Sequence, residues 1–191
     1  MKSFIAYNYS CLMAVIEGDV ADKILRFSSL IPDSALYDDG SGECGREDEP
    51  HVTVKYGIHT SSKEEVVFAV SGEGPATAKL GRMSIFENED FNVLKLEIDS
   101  SDLHRLNDEV TNNIECTTTY PVYHPHVTIA YLDKDFDYRK VMCDIFDGEE
   151  VSFSRLQFSP VEGEKTWVSL NSNHAIAAKN IAENWFSMGG V

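Results

Sequence analysis

A histidine and a threonine recur at the same spacing in two short segments of this chain of 191 residues. The first pair is His51 and Thr53, and the second pair is His126 and Thr128, about 75 residues further on. Histidine can accept or donate a proton near neutral pH, because its unperturbed pKa is about 6.5. A threonine hydroxyl can donate a hydrogen bond to an anionic oxygen. The two pairs therefore predict one site with two proton-transfer groups and two hydrogen-bond donors.

The residues around the two pairs also match. Each pair follows a proline, encloses a valine and precedes a tyrosine in the same register. In a strand, alternate side chains share a face. Alternation predicts that the histidine and threonine of each copy face a cleft, while the valines and the tyrosines, Tyr56 and Tyr131, face the core. In the first copy it also places Lys55 on the face of His51.

Two imidazoles with two hydroxyls suit phosphoryl transfer by general acid–base catalysis. A neutral histidine takes a proton from an attacking hydroxyl or water, and a protonated histidine donates one to the departing oxygen. The threonine hydroxyls can steady charge on the non-bridging phosphate oxygens. This scheme requires no metal and no cofactor, and the other histidines and the scattered cysteines lack the spacing of metal ligands. Which of His51 and His126 is the acid and which is the base stays open.

The predicted elements around the motifs recur in the same order. Strand, helix, motif strand, helix and strand are written twice, in repeats of about 11–88 and 91–172 that form one domain over 1–174. The predicted strands cover 12–16, 51–58, 76–86, 91–98, 126–132, 151–158 and 166–170. The predicted helices begin at an Asp19 cap, at a Ser62–Glu65 capping box, near Asp99 and near Tyr138, the last ending at Phe146.

Two further segments complete the predicted organisation. The stretch 38–49 holds three glycines and six acidic residues and indicates a solvated loop. The final segment, 175–191, places Ala177, Ile181 and Trp185 at helical spacing. It predicts a C-terminal helix that packs on the core.

Composition bounds the possible partners. The chain is 42% hydrophobic, which suits a folded core, and its formal net charge is −16. Such a charge repels long nucleic acids, so a nucleotide partner is expected to be small. The sequence shows neither a signal peptide nor a run long enough to cross a membrane. Cytoplasmic residence is therefore expected, and the oligomeric state stays open.

The paired His-x-Thr motifs on strands in a duplicated βα arrangement resemble those of the 2H phosphoesterase superfamily. The resemblance implies a bilobal α/β (α+β) fold with two antiparallel-rich sheets around a central cleft. It also implies that His51 and His126 are the catalytic pair and that Thr53 and Thr128 bind phosphate. The superfamily includes LigT-type RNA 2′,5′ ligases/phosphodiesterases, 2′,3′-cyclic nucleotide phosphodiesterases and phage phosphodiesterases that cleave cyclic oligonucleotides.

Among these groups, the small size, the acidic character and the lack of a basic track favour the phage enzymes that degrade the cyclic-oligonucleotide signals of bacterial CBASS defence. The expected reaction is hydrolysis of 3′-5′ or 2′-5′ phosphodiester bonds. Two alternatives stay open. One is a LigT-like RNA 2′,3′-cyclic phosphodiesterase that processes RNA ends, and the other is a sponge that binds a nucleotide without cutting it.

Three further residues are candidates for substrate binding. Lys55 shares strand parity with His51, and a solvated strand lysine is the alternative. Trp167 follows a predicted turn and could stack on a nucleobase, although a core tryptophan fits the pattern as well. Tyr9, ahead of the first strand, has the same two interpretations.

Overall fold

The computed structural model describes residues 9–40, 44–118, 120 and 122–170, in which eight strands form one antiparallel sheet. The strands are β1 (Ser10–Val15), β2 (His51–Ile58), β3 (Ala76–Glu87), β4 (Phe91–Asp99), β5 (His126–Asp133), β6 (Glu150–Phe153), β7 (Arg155–Ser159) and β8 (Thr166–Ser169). The helices are α1 (Gly18–Ser29), α2 (Lys63–Ala69) and α3 (Ser101–Asn113), with single 3-10 turns at Asp33–Ala35 and Tyr138–Lys140.

The sheet consists of two four-stranded halves that meet in the middle. The strand order is β6-β3-β4-β5-β2-β1-β7-β8. Among the described residues, β2 and β5 are paired through a single position, Val52 opposite Val127. This confirms the predicted α/β class with antiparallel strands, and the two predicted sheets are the halves of one curled sheet.

A pseudo-twofold axis through the Val52–Val127 pair relates the two halves. It exchanges β2 with β5 and β1 with β4, and likewise β7 with β3 and β8 with β6. The half β2-β1-β7-β8 combines strands from both ends of the described chain, because β7 pairs with β1, whereas the half β6-β3-β4-β5 comes from the stretch 76–153 between them. The predicted duplication over 11–88 and 91–172 stays a prediction, and the strands of these repeats are shared between the halves.

Alternating apolar residues hold the sheet against its helices. Val52 and Val127 are fully buried, as are the helix residues Leu103, Leu106 and Val110, which recur at the spacing of one α3 face. α3 contacts β2 and β3, and α1 contacts β5. The helices therefore cover the face that the valines occupy, and the opposite face is left for the polar side chains of the motifs.

Of the two predicted helix caps, one is confirmed and one is wrong. The Ser62 hydroxyl accepts a hydrogen bond from the Glu65 amide at 3.3 Å, as the capping box predicts. The hydroxyl of Ser100 caps α3 in the same way. The predicted cap Asp19 is wrong, because α1 begins one residue earlier, at Gly18, and Asp19 lies in the first turn.

The segments that precede the two motif strands pair with the opposite motif strand. Glu47 donates its amide to the Ile129 carbonyl at 3.1 Å, so part of the predicted solvated loop is joined to β5. In the same way, Thr117 donates its amide to the Gly57 carbonyl of β2 at 2.8 Å. These contacts satisfy backbone groups where the two halves of the sheet diverge.

Two predicted elements near the end of the domain are wrong. The helix expected up to Phe146 is a single turn at Tyr138–Lys140, because Phe146 is buried edge-on against Phe27 of α1 and draws the chain away from a helical path. The strand expected over 151–158 is broken at Ser154. Its two parts, β6 and β7, pair with β3 and β1 in opposite halves of the sheet.

The predicted C-terminal helix over 175–191 lies outside the described residues. Of the helices that are described, none is both long enough and apolar enough to cross a membrane.

Candidate active site

The structure brings the two His-x-Thr pairs together at the centre of the sheet. Val52 and Val127 face each other across the junction and are both fully buried on the core face. Since side chains alternate along a strand, the motif residues on either side of each valine point to the opposite face. The antiparallel register sets each histidine beside the threonine of the other strand. The four predicted residues, His51, Thr53, His126 and Thr128, therefore lie on one face of the curled sheet, which is called the cleft.

Backbone carbonyls orient both imidazoles in the same way. Nδ1 of His51 lies 2.7 Å from the Glu49 carbonyl oxygen, and Nδ1 of His126 lies 2.8 Å from the His124 carbonyl oxygen. A carbonyl only accepts, so each Nδ1 carries the proton and donates it. When the ring is neutral, Nε2 then has the free lone pair. Each histidine is thus prepared to accept a proton at Nε2 when neutral and to donate one from Nε2 when charged.

His126 lies in an enclosed, charged corner of the cleft. Lys95 is opposite Thr128, and Glu97 is opposite His126 across the β4–β5 pairing. The Phe86 ring stands edge-on to the His126 ring at 5.1 Å. Burial lowers the pKa of His126 below its ordinary value, and the charges of Lys95 and His51 lower it further, against the opposing effects of the His124 carbonyl and Glu97. His126 therefore favours its neutral form.

The surroundings of His51 are built from other elements. The carboxylate of Glu49, two residues before His51, accepts hydrogen bonds from Gln157 Nε2 at 3.0 Å and from Lys165 Nζ at 2.9 Å. Burial alone would raise the pKa of Glu49, but these hydrogen bonds and the charges of Lys165 and His51 lower it below its ordinary value. Glu49 is thus an anion close to His51.

The first threonine is held by two partly buried side chains. The Cys11 thiol is hydrogen-bonded to the Thr53 hydroxyl, and burial raises the pKa of Cys11 to about 12, so the thiol stays protonated. The Tyr123 hydroxyl donates to the Thr53 carbonyl at 2.9 Å. These contacts fix both ends of the Thr53 residue.

A β-bulge shifts the side-chain alternation of β2. Met13 pairs with Thr53 but Leu12 pairs with Lys55, so Val54 is the extra residue and the alternation shifts beyond it. Lys55 is therefore opposite Leu12 of the core face. Its side chain is buried, and its Nζ donates to the Thr118 hydroxyl at 3.1 Å. The prediction that Lys55 shares a face with His51 is wrong, and its role in substrate binding stays a prediction.

The same bulge turns Tyr56 out of the core. Tyr56 pairs with Cys11, which lies on the cleft face of β1, and 42% of its surface is exposed. The predicted core packing of Tyr56 is therefore wrong. The second motif strand has the equivalent irregularity: Ala130 is fully buried, and Tyr131, also expected in the core, is only partly buried and stands against Phe91.

With this geometry established, comparison with known proteins identifies the family. Residues 43–166, more than half of the chain and including both motifs, match the family described as anti-CBASS protein Acb1. The chain belongs to the Acb1 family. None of the curated proteins matches it.

Solved structures similar to this Acb1-family chain share its fold. Usb1 of Kluyveromyces marxianus is 11% identical with a TM-score of 0.54, over 87% of this chain and 100% of that chain. E. coli LigT complexed with 3′-AMP is 14% identical with a TM-score of 0.51, over 85% and 95%. E. coli LigT complexed with NADP+ is 13% identical with a TM-score of 0.53, over 85% and 94%. These likenesses confirm the predicted 2H phosphoesterase-like fold.

The two aromatic candidates of the Acb1-family chain lie in the same half of the sheet. Trp167 pairs with Gln157 of β7, and Gln157 pairs with Met13 of β1, which is opposite Thr53. Trp167 therefore lies on the cleft face. The guanidinium of Arg155 lies 3.9 Å from the centre of the Trp167 ring. Tyr9 stacks on His59 at 5.1 Å and stands edge-on to Tyr56 at 6.1 Å. Both positions border the cleft face, and their roles in substrate binding stay predictions.

Several site residues were missed by sequence reasoning. Lys95 and Glu97 alternate with Leu94 and Leu96 in β4, which are fully buried. That alternation marks the two charged side chains as facing away from the core and could have identified them. Glu49 carries no comparable signal, since its partners Gln157 and Lys165 are more than a hundred residues away in sequence.

A groove of about 520 Å³ lies elsewhere in the Acb1-family chain, between β3, β6 and the start of α3. Its lining includes Thr77, Lys79 and Ser100 and none of the four motif residues. The chemistry of the histidines is therefore not located in this groove. Within the described part of the chain, no group of three or more histidine, cysteine or acidic side chains is arranged to hold a metal ion.

Proposed function

We propose that this protein is a metal-independent phosphodiesterase that hydrolyses a small cyclic nucleotide or oligonucleotide by acid–base catalysis. The observation that carries the proposal is the matched orientation of His51 and His126. Each ring donates Nδ1–H to a backbone carbonyl and keeps Nε2 for proton transfer, on adjacent strands of one cleft. Two such groups supply the base and the acid that phosphodiester cleavage requires.

The reaction follows from the positions of these groups. One neutral histidine takes the proton of an attacking hydroxyl or water as the new P–O bond forms. The other histidine, protonated, gives its Nε2 proton to the departing oxygen as the old P–O bond breaks. Thr53 and Thr128, beside the histidines, supply hydroxyl donors for the non-bridging oxygens, on which charge develops.

The family and the charge of the chain support a small substrate from bacterial defence signalling. The matching family is described as an anti-CBASS protein, which fits a phage protein that degrades cyclic-oligonucleotide signals in the host cytoplasm. The net charge of −16 disfavours long nucleic acids. Tyr9 and Trp167 are proposed to stack on nucleobases, as exposed aromatic side chains do in nucleotide sites. Lys55 is the weakest binding candidate, because its Nζ is directed to Thr118.

The substrate is tested with a panel of cyclic di- and trinucleotides of both linkages, incubated in EDTA and analysed by mass spectrometry. Linearised products are expected from at least one member. RNA ending in a 2′,3′-cyclic phosphate belongs in the same panel, because E. coli LigT and Usb1 share the fold. Opening of that RNA with no cleavage of any cyclic oligonucleotide would assign the protein to RNA-end processing instead.

Single substitutions separate an enzyme from a sponge. His51→Ala and His126→Ala are each expected to lower kcat by about 10²–10⁴-fold, the usual contribution of a general acid or base, while the ligand still binds. Arg26→Ala is the control, because Arg26 lies in the last turn of α1 with 81% of its side chain exposed. Full activity in either cleft variant contradicts the acid–base assignment, and a wild-type protein that binds without turnover is a sponge.

A further inference from the structure

Lys95 is a buried cation on the floor of the cleft. Only 4% of its side chain is exposed, in a chain whose net charge is strongly negative. Its Nζ forms an ion pair with Glu97 and lies 4.1 Å from the centre of the Phe86 ring. Glu97 in turn accepts a hydrogen bond from Ser84. Burying a lysine is costly unless it is paired, so this arrangement holds a fixed, poorly hydrated positive charge in one place.

The pseudo-twofold axis provides an internal comparison. Lys95 pairs with Thr128 and Glu97 with His126, in the same register in which Met13 pairs with Thr53 and Val15 with His51. Met13 and Val15 therefore occupy the positions equivalent to Lys95 and Glu97. The two histidines have the same backbone setting, and the charged pair is built into one half of the cleft alone.

The charged groups around the two histidines differ accordingly. His126 faces Lys95 and Glu97 from β4, the Phe86 ring from β3 and His51 from β2, and its own strand is preceded by the His124 carbonyl. The Phe86 ring covers Lys95 Nζ, which is shielded from water, and stands against the partly buried imidazole. Water screens charges strongly, so its exclusion strengthens the repulsion between Lys95 and a protonated His126.

His51 faces a pair of charges whose cation is far more exposed than Lys95. Glu49 lies in the segment before β2, and its ion-pair partner Lys165 has 54% of its side chain exposed. From β1, His51 meets the uncharged Val15, and from β5 it meets His126. A solvent-exposed cation is screened and has little influence on a neighbouring group.

We propose that Lys95, held by Glu97 and Phe86, is a positioning residue that keeps His126 neutral, which makes His126 the general base and His51 the general acid. This rests on the proposed phosphodiesterase function. In the reaction, Nε2 of His126 takes the proton of the attacking hydroxyl or water as its oxygen bonds to phosphorus. The P–O bond to the leaving group breaks, and the departing oxygen receives the Nε2 proton of His51.

The electrostatic part is tested without substrate, by NMR titration of the His126 ring. Lys95→Met introduces the residue type of the equivalent position, Met13, and leaves Glu97 unpaired. It should raise the pKa of His126 by about one unit. Glu97→Gln leaves Lys95 unpaired and should lower the pKa of His126. Lys95→Arg keeps the ion pair and should leave this pKa near the wild-type value. Lys165→Met is the matched control, since it removes the cation of the other half. No shift, or shifts in the same direction for Lys95→Met and Glu97→Gln, overturns the proposal.

The assignment of acid and base is tested with a substrate whose leaving oxygen is replaced by sulfur. A thiolate departs without a proton, so the substitution should restore turnover to His51→Ala by at least about tenfold and leave His126→Ala inactive. Any other pattern overturns the assignment. The proposed function fails separately, if the wild-type protein cleaves no phosphodiester while the NMR shifts occur as stated.

Discussion

At the scale of single residues, the two histidines of the cleft are equivalent in orientation and different in surroundings. Both donate Nδ1–H to the carbonyl two residues earlier, so the motif itself fixes the tautomer. The neighbours then distinguish the rings. Burial, Lys95 and His51 together lower the pKa of His126 below its ordinary value. A repeated motif thus provides two similar groups, to which we propose that unequal neighbours assign different tasks.

This lowered pKa predicts a pH dependence of stability. The folded state binds a proton at His126 less readily than the unfolded chain, so the unfolded chain takes up more protons on acidification. The contribution of His126 to stability is therefore fully present above about pH 6.5, the unfolded value, and is lost as the pH falls through the folded value. Urea denaturation of wild type and His126→Gln between pH 5.5 and 7.5 should show a smaller pH slope in the variant.

The control for this measurement is Gly74→Ala, which removes no titratable group, adds a Cβ with nothing within 4 Å and should retain the wild-type slope. The carboxylates of Glu49 and Glu97, whose pKa values lie below their ordinary value despite the opposing effect of burial, act in the same direction at lower pH. These two glutamates do not affect the slope between pH 5.5 and 7.5, because glutamate in the unfolded chain titrates near pH 4.3. Equal slopes in wild type and His126→Gln would contradict a lowered His126 pKa.

At the scale of elements, the irregularities of β2 are as important as its alternation. The bulge at Val54 places Lys55 opposite Leu12 and turns Tyr56 to the cleft face. Further along, Gly57 has a φ of +87° and lies so close to the segment before β5 that a Cβ would be 2.1 Å from the Thr117 carbonyl oxygen. The Gly57 carbonyl in turn accepts a hydrogen bond from the Thr117 amide. Gly57 therefore permits the segment before β5 to join β2.

Gly57→Ala is expected to destabilise the protein. The positive φ alone costs about 1–3 kcal/mol for a residue with a side chain, and the contact with the Thr117 carbonyl must be relieved by moving the backbone. Gly74→Ala is the matched control, because its added Cβ would have nothing within 4 Å. The free energy of unfolding from urea denaturation should fall by more than about 1 kcal/mol for Gly57→Ala and change little for Gly74→Ala. Equal effects would show that the junction tolerates a side chain.

Local sequence signals predicted the elements at the Ser62 capping box and in the alternating motif strands. Ser62 caps α2, and β2 and β5 begin at the predicted histidines. The signals were insufficient at 138–146 and at Ser154, where distant contacts decide. Phe146 is buried against α1, and the break at Ser154 sends adjacent strands to opposite halves of the sheet.

At the scale of the whole molecule, the net charge of −16 opposes the arrival of an anionic substrate. The association rate of a cyclic dinucleotide is measured with His126→Ala. It should increase roughly severalfold as salt is raised from about 0.01 M to about 0.15 M, because the Debye length shortens from about 30 Å to about 8 Å and the repulsion is screened. Stopped-flow fluorescence measures this rate. An uncharged nucleoside is the control and should show no such dependence. A rate that falls with salt would indicate that local cations outweigh the global charge.

The sequence by itself determined the four motif residues and the face they occupy. Alternation is a local property of an extended backbone, so His51, Thr53, His126 and Thr128 are separated from the buried valines without knowledge of the fold. The tertiary structure decided the rest. The position of a bulge depends on the pairing between strands. The bulge at Val54 placed Lys55 on the core face and exposed Tyr56. Sheet register brought Lys95 and Glu97 to one histidine and not to the other, because residues far apart in sequence meet only when strands pair.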